Sequence, residues 1–127
     1  MATSRSLLPT LAFIFGCFLI SSGALGILYP LWLAQSIFAI PTATQETIAF
    51  YPGLAGRNLS GGLTVMSLLY MGRPCRKALG AMLFSLLANG FSDVYLLAIH
   101  PDGTGFGPHY FNILLIGSTG LGLMLGY

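Results

Sequence analysis

The sequence predicts an all-α protein, a four-helix transmembrane bundle with an interfacial segment between helices 1 and 2. First, the 127 residues include only 5 Lys+Arg and 3 Asp+Glu, or 6% charged residues, whereas a soluble domain carries about 25%. Second, 55% of the residues are hydrophobic, and the mean hydropathy is +0.83. Third, long stretches carry no charge. These are residues 6–45, 58–72, 78–92 and 103–127.

The same composition excludes two other classes of protein. Intrinsic disorder requires low hydrophobicity and high net charge, and this chain has the opposite. Electrostatic binding to nucleic acid requires a basic surface that can displace counterions, and a net charge of +2 does not supply one. The length allows one domain. We therefore predict a single integral membrane domain over residues 1–127, with no nucleic acid as a partner.

The first span is predicted at residues 8–31, since about 20 mostly apolar residues cross a bilayer. Tyr29 and Trp32 stand at its far end, where aromatic rings favour the membrane interface. An alternative is a cleavable signal peptide, because Arg5 precedes the apolar run and small residues occupy positions 22–24. The apolar run is longer than the core of such a peptide, which favours the span.

An interfacial or partly re-entrant segment is predicted at residues 33–52. It mixes apolar and polar residues, and Pro30 and Pro41 discourage a continuous helix. Thr44–Thr47 resembles a helix start, which indicates a short amphipathic helix within this segment.

Three further spans are predicted at residues 53–71, 78–99 and 109–127. The turn Gly72–Lys77 separates the first two, and residues 100–108, rich in Gly and Pro, separate the last two. Membrane-spanning strands are excluded, because the apolar runs are long and do not alternate.

The cations predict the orientation in the membrane. Arg5 precedes the first span, and Arg73, Arg76 and Lys77 lie between the second and third. With four spans, these groups fall on one side, which the positive-inside rule makes cytoplasmic. Both termini are then cytoplasmic. The membrane would be the endoplasmic reticulum in a fungus and the plasma membrane in a bacterium.

The opposite half of the predicted bundle gathers most of the polar side chains. Asp93 lies roughly 10 Å below the end of its span at ~1.5 Å per residue, and a charge at that depth normally faces a partner or a wet cavity. Glu46 and Tyr51 lie in the segment that covers this half. The polar residues of the spans and the connecting loop are Arg57, Asn58, Asn89, Asp93, His100, Asp102, His109 and Asn112.

Arg57 is the expected partner of Asp93, and two interpretations of the pair stay open. In one, Arg57 holds a carbonyl or carboxylate, Asp93 is the acid/base, and His109 is a second proton carrier. In the other, the pair only pins two helices together. The catalytic candidates are Arg57, Asp93 and His109, and the substrate-binding candidates are Arg57, Asn58, Asn89, Asn112, Glu46 and Tyr51. No cofactor is expected, and a metal site is not expected, because the spacing of His100, Asp102 and His109 matches no known ligand pattern.

The layout resembles a family of small four-span membrane proteins of fungi and bacteria, catalogued as a domain of unknown function and DoxX-like. Tyr29-Pro30, Leu54–Val65, Gly72–Lys77, Asp93 and His109 carry the resemblance. The resemblance supports Arg57, Asp93 and His109 as a set but names no reaction. Some fungal members of that family look like accessory enzymes in pathways of lipophilic secondary metabolites. In that family an acidic residue often follows the arginine, whereas this chain has Asn58.

Three functions are therefore compatible with the sequence. The first is a cofactor-free proton-transfer enzyme, an isomerase, cyclase or hydratase, acting on a lipophilic intermediate. The second is a non-catalytic scaffold or lipid-binding subunit, and the third is a small transporter. The expected partners are a lipid or lipophilic small molecule and the membrane. Gly117, Gly120 and Gly122–Gly126 indicate close helix contact in the last span, either inside the bundle or in a homodimer.

Overall fold

The computed structural model describes residues 4–38, 40–99 and 106–127, and these residues contain helices and turns but no strand. His100 and Asp102, which the sequence placed near the polar half, lie outside the described residues. The helices are α1 (Ser4–Leu28), α2 (Pro30–Ser36), α3 (Tyr51–Tyr70), α4 (Arg76–Ser85), α5 (Leu87–Ile99) and α6 (Phe106–Leu125), with a 3₁₀ turn at Arg73–Cys75.

The first helix ends at Leu28, three residues before the predicted end of the first span. Tyr29 has φ −134° and ψ 57°, and Pro30 then begins α2. Proline is well placed there, because its fixed φ suits the first helical turn and its missing N–H would be unpaired in any case. Pro30 therefore both ends α1 and starts a second helix, which the sequence analysis did not predict.

The predicted short helix at Thr44–Thr47 is wrong, because residues 45–50 form consecutive turns. The Thr44 N–H donates to the Thr47 hydroxyl at 2.9 Å, and that hydroxyl donates to the Thr44 carbonyl at 3.0 Å. Such side-chain bonds satisfy the backbone locally and compete with helix formation. Ala43 and Ile48 pack against Ala34 of α2 in a small buried cluster. The segment is therefore folded onto α2.

The predicted third span, residues 78–99, consists of two helices that meet at Leu86. Its N–H donates to the carbonyls of both Met82 and Leu83 at 3.2 Å, and Asn89 N–H donates back to Leu86 at 3.0 Å. These bonds indicate that the helix tightens locally to a 3₁₀-like turn at Leu86 and then continues.

Two helical segments among the described residues, Leu7–Leu28 and Arg73–Ile99, are long and apolar enough to cross a membrane.

The helices pack in two pairs, α1 against α3 and α4–α5 against α6, and the pairs also contact each other. Glycines allow the close approaches within each pair. A Cβ added to Gly62 of α3 would lie 2.9 Å from the Gly16 carbonyl of α1, and one added to Gly80 of α4 would lie 2.7 Å from the Gly120 carbonyl of α6. Gly122 faces Leu8 of α1. Gly120 and Gly122 of the predicted contact stripe therefore serve internal packing.

The apolar core lies between the pairs, and its fully buried side chains include Val65, Leu83, Leu97 and Leu123. The cationic turn after α3 is at one end of this core. The start of α3, the end of α5 and the start of α6 lie at the other end, where the polar residues gather.

Candidate functional site

An ion pair joins α3 to α5 at the polar end of the molecule. Arg57 Nη2 lies 3.5 Å from Asp93 Oδ1, and the two side chains are 38% and 26% exposed. The structure thus brings together the two partners that the sequence analysis paired. Helices α3 and α5 otherwise make few close contacts, so the pair bridges a gap between them.

The guanidinium of Arg57 retains further donor capacity. Its Nε atom is buried and has no hydrogen-bond partner among the described residues. A buried unpaired donor costs about 1–3 kcal/mol. Arg57 is therefore able to hold an additional acceptor, such as a carbonyl or carboxylate oxygen, without leaving Asp93.

A first cavity of about 40 Å³ opens beside the ion pair. Its polar wall combines groups from α1, α3 and α5, and its apolar wall includes the α2 residue Leu33 and the following Phe38. The polar lining residues are Ser22, Tyr51, Arg57, Asn58 and Asp93.

Asp93 also lines a second cavity, of about 60 Å³. Its polar lining residues are Asn58, Asn89, Asp93, His109 and Asn112. Asn58 and Asp93 therefore line both cavities, with Arg57 in the first and His109 in the second, and the second also has apolar walls that include Phe15 and Phe18.

Phe38 closes the site from the side of the interfacial segment. Its ring centroid is 5.8 Å from that of Tyr51, in an edge-on arrangement, and 5.5 Å from that of His109. The sequence analysis did not single out Phe38 or Ser22. Phe38 could have been found as an aromatic residue in the segment that covers the site, and Ser22 as a serine within an apolar span.

One predicted site residue, Glu46, lies elsewhere. It is exposed and lines neither cavity, so the structure does not bring it to the site.

The volume of the cavities and the side chains around them limit what the site can bind. One water requires roughly 10–15 Å³, and sites for drug-sized ligands measure about 300–1,000 Å³. The two cavities therefore accept waters or one small polar group, but not a whole lipophilic molecule. Among the described residues, no three His, Cys, Asp or Glu side chains are grouped so that they could hold a metal ion.

Comparison with protein-family models matches residues 16–124 to DUF4267, a domain of unknown function. The match includes every candidate residue of both cavities. No curated protein and no solved structure matches the chain.

Proposed function

The chain belongs to the DUF4267 family, a domain of unknown function, and we propose that it is a multi-pass membrane protein that transfers protons on the polar end of a lipophilic molecule. The observation that carries the proposal is the position of Asp93. Its carboxylate contacts Arg57 and lines a second polar cavity together with His109. A bridge with no catalytic role would not require this second group of polar residues.

The apolar outer surface supports a four-span bundle. Large hydrophobic side chains are exposed on every long helical segment: Ile14 at 58%, Leu63 at 53%, Phe91 at 58% and Leu114 at 72%. In water such a surface would cause aggregation, whereas acyl chains can cover it. Both termini then lie with the cationic turn on the cytoplasmic side, and the polar site lies on the opposite side.

The proposed roles follow from the positions of the three ionisable groups. Arg57 holds an oxygen that gains negative charge during the reaction. Asp93 and His109 are proton carriers on either side of the reacting group. This arrangement supports isomerisation, cyclisation or hydration, which need no reactant other than water. Arg57, Asn58, Asn89, Asn112 and Tyr51 would bind the substrate.

The small cavities imply that only the polar end of the substrate enters the site. Its tail would remain among acyl chains, reached through the gap between α3 and α5. The DoxX-like resemblance makes a secondary-metabolite intermediate the proposed substrate class, and the membrane would be the endoplasmic reticulum or the plasma membrane, depending on the host.

Deuterium incorporation tests this function without a known substrate. The full-length protein in membranes is incubated in D₂O with a lipid extract of the source cells, and mass spectrometry then identifies compounds that gain deuterium at carbon. We expect protein-dependent incorporation, and we expect Asp93→Asn to reduce it by about 10²-fold or more, as for loss of a general acid/base.

Ser92→Ala is the matched control. Ser92 is adjacent on α5, is exposed, and bonds only to the Asn89 carbonyl among the described contacts. Its incorporation should equal that of the wild type. If the folded wild type produces no incorporation, or if Asp93→Asn retains it in full, the proton-transfer function is wrong.

The second candidate is a non-catalytic scaffold or lipid-binding subunit. One observation favours it: the two cavities, of about 40 and 60 Å³, are too small to enclose a lipophilic substrate. A stoichiometric partner that co-purifies with the chain would support this role. The transporter alternative would be supported by ion or proton flux in vesicles containing the chain.

A further inference from the structure

We propose that a second site, at the cationic end of the molecule, binds an anionic amphiphile whose phosphate or carboxylate contacts Arg73 and Arg76. This inference requires the proposed membrane placement but not the proton-transfer chemistry. It concerns a cavity at the opposite end of α3 from Arg57, and it shares no residue with the polar site.

The site is a cavity of about 220 Å³ between α1, α3, α4 and the turn that joins the last two. It is several times larger than either cavity of the polar site. Its lining residues are Pro9, Leu68, Leu69, Gly72, Arg73, Arg76 and Leu79. Gly72 has φ +78°, which favours glycine and lets the chain turn sharply so that both arginines reach one cavity.

Two cationic side chains, Arg73 and Arg76, line this cavity. Arg76 is positioned by a bond from its Nη2 to the Tyr127 carbonyl at 3.1 Å. Arg73 is exposed, and within the part of the chain that the structure describes its side chain makes no hydrogen bond or ion pair. No acidic side chain is among the lining residues. Two guanidinium groups with forked donors match the geometry of a phosphate or carboxylate.

The apolar residues that line the rest of the cavity favour an amphiphile over a free anion. Leu68, Leu69, Leu79 and Pro9 present apolar surface directly beside the guanidinium groups. A hydrated inorganic ion gains nothing from this surface, whereas the methylene groups next to a lipid headgroup do. Basic pockets between membrane helices on the cytoplasmic side are known to favour anionic headgroups.

The test measures binding of lipids to the full chain in detergent by native mass spectrometry. The probes are dioleoyl-phosphatidylglycerol, dioleoyl-phosphatidylcholine, dodecyl phosphate and inorganic phosphate. We expect the anionic lipid to bind in preference to the zwitterionic lipid, and dodecyl phosphate to compete far better than inorganic phosphate. Arg73→Gln should weaken binding of the anionic lipid about fivefold, as expected for one cation at a membrane surface.

Lys77→Gln is the matched control, since it removes the same charge from the same cluster but Lys77 does not line the cavity. It should weaken binding less than twofold. A second variant, Leu68→Phe, fills the cavity without a change of charge and should also weaken binding. Equal effects of Arg73→Gln and Lys77→Gln would overturn the proposal in favour of diffuse surface attraction. Equal competition by inorganic phosphate would overturn it in favour of a simple anion site.

Discussion

Asp93 is the proposed acid/base, and its contact with Arg57 also links α3 to α5. The same residue is therefore central to the catalytic interpretation and to the interpretation that the pair only holds two helices together. A carboxylate inside a bilayer is expensive unless it has a partner or water. Here the partner is the guanidinium of Arg57, and the polar surroundings continue into the cavity of His109. In the proposed membrane placement, the fold supplies Asp93 with both a charged partner and polar surroundings.

Removing one charge of the pair should destabilise the protein, because the other is left uncompensated. Asp93→Asn should cost about 1–3 kcal/mol, between the values for exposed and buried pairs, since both side chains are partly exposed. The measurement is thermal unfolding in detergent. The double variant Arg57→Gln/Asp93→Asn should recover part of this loss, since it leaves no unpaired charge. Unchanged stability of Asp93→Asn would show that the pair does not hold α3 to α5.

The position of Glu46 depends on the packing of the segment that contains it. The sequence placed it in the segment that covers the polar half, and this placement made it a substrate-binding candidate. The segment forms turns in place of the expected helix, and Glu46 is exposed, away from both cavities. Which side of a connecting segment faces inward depends on its packing, and here Ala43 and Ile48 are the buried residues.

At the level of helices, glycine positions determine which pairs pack closely. Gly62→Ala in α3 would place a Cβ 2.8 Å from the Ile20 nitrogen of α1, a backbone atom that cannot move aside. The two helices must separate, and we expect a loss of about 1–3 kcal/mol by thermal unfolding.

Gly56→Ala in the same helix is the control for Gly62→Ala. Its added Cβ meets nothing within 4 Å. Alanine reduces the conformational entropy of the unfolded chain, so stability should be unchanged or should rise by about 0.5–1 kcal/mol. A similar loss in both variants would mean that α1 and α3 do not approach at Gly62.

The segment after α2 should limit access to the polar site, since Phe38 lies against Tyr51 and His109. In a Cys17→Ser/Cys75→Ser background, the thiol of Asn58→Cys should react several times faster with a water-soluble methanethiosulfonate when Phe38→Ala is added. Phe50→Ala is the control, because Phe50 is 63% exposed and lines neither cavity. If Phe50→Ala increased the rate of thiol modification equally, Phe38 would not be a specific barrier to the site.

For the whole molecule, the proposed four spans predict opposite accessibility of the two ends. Cys75 lies in the cationic turn, and both cysteines of the chain are free thiols. A membrane-impermeant maleimide should label Cys75 from the cytoplasmic side only. In a Cys17→Ser/Cys75→Ser background, Glu46→Cys should react from the other side only. Labelling of both positions from one side would rule out this topology.

Much of the fold was predictable because a low charge content and long apolar runs leave few alternatives to helices. The pairing of Arg57 with Asp93 was predictable because isolated charges within apolar helices require partners. The second helix at Pro30, the turns at residues 45–50 and the tightening at Leu86 were not. The second helix depends on the backbone angles at Tyr29 and Pro30. The turns and the tightening depend on local hydrogen bonds to side chains and to nearby carbonyls, and composition does not reveal these.

The sequence by itself determined a helical chain with an apolar exterior and a polar cluster toward one end, since these properties depend on which residues are present and how they are spaced. Only the tertiary structure decided that this cluster lines two small cavities that share Asp93, and that a larger cavity with two arginines lies at the opposite end. Cavities arise from the distances between helices. Those distances depend on where glycines such as Gly62 and Gly80 let two backbones meet, and no single helix contains that information.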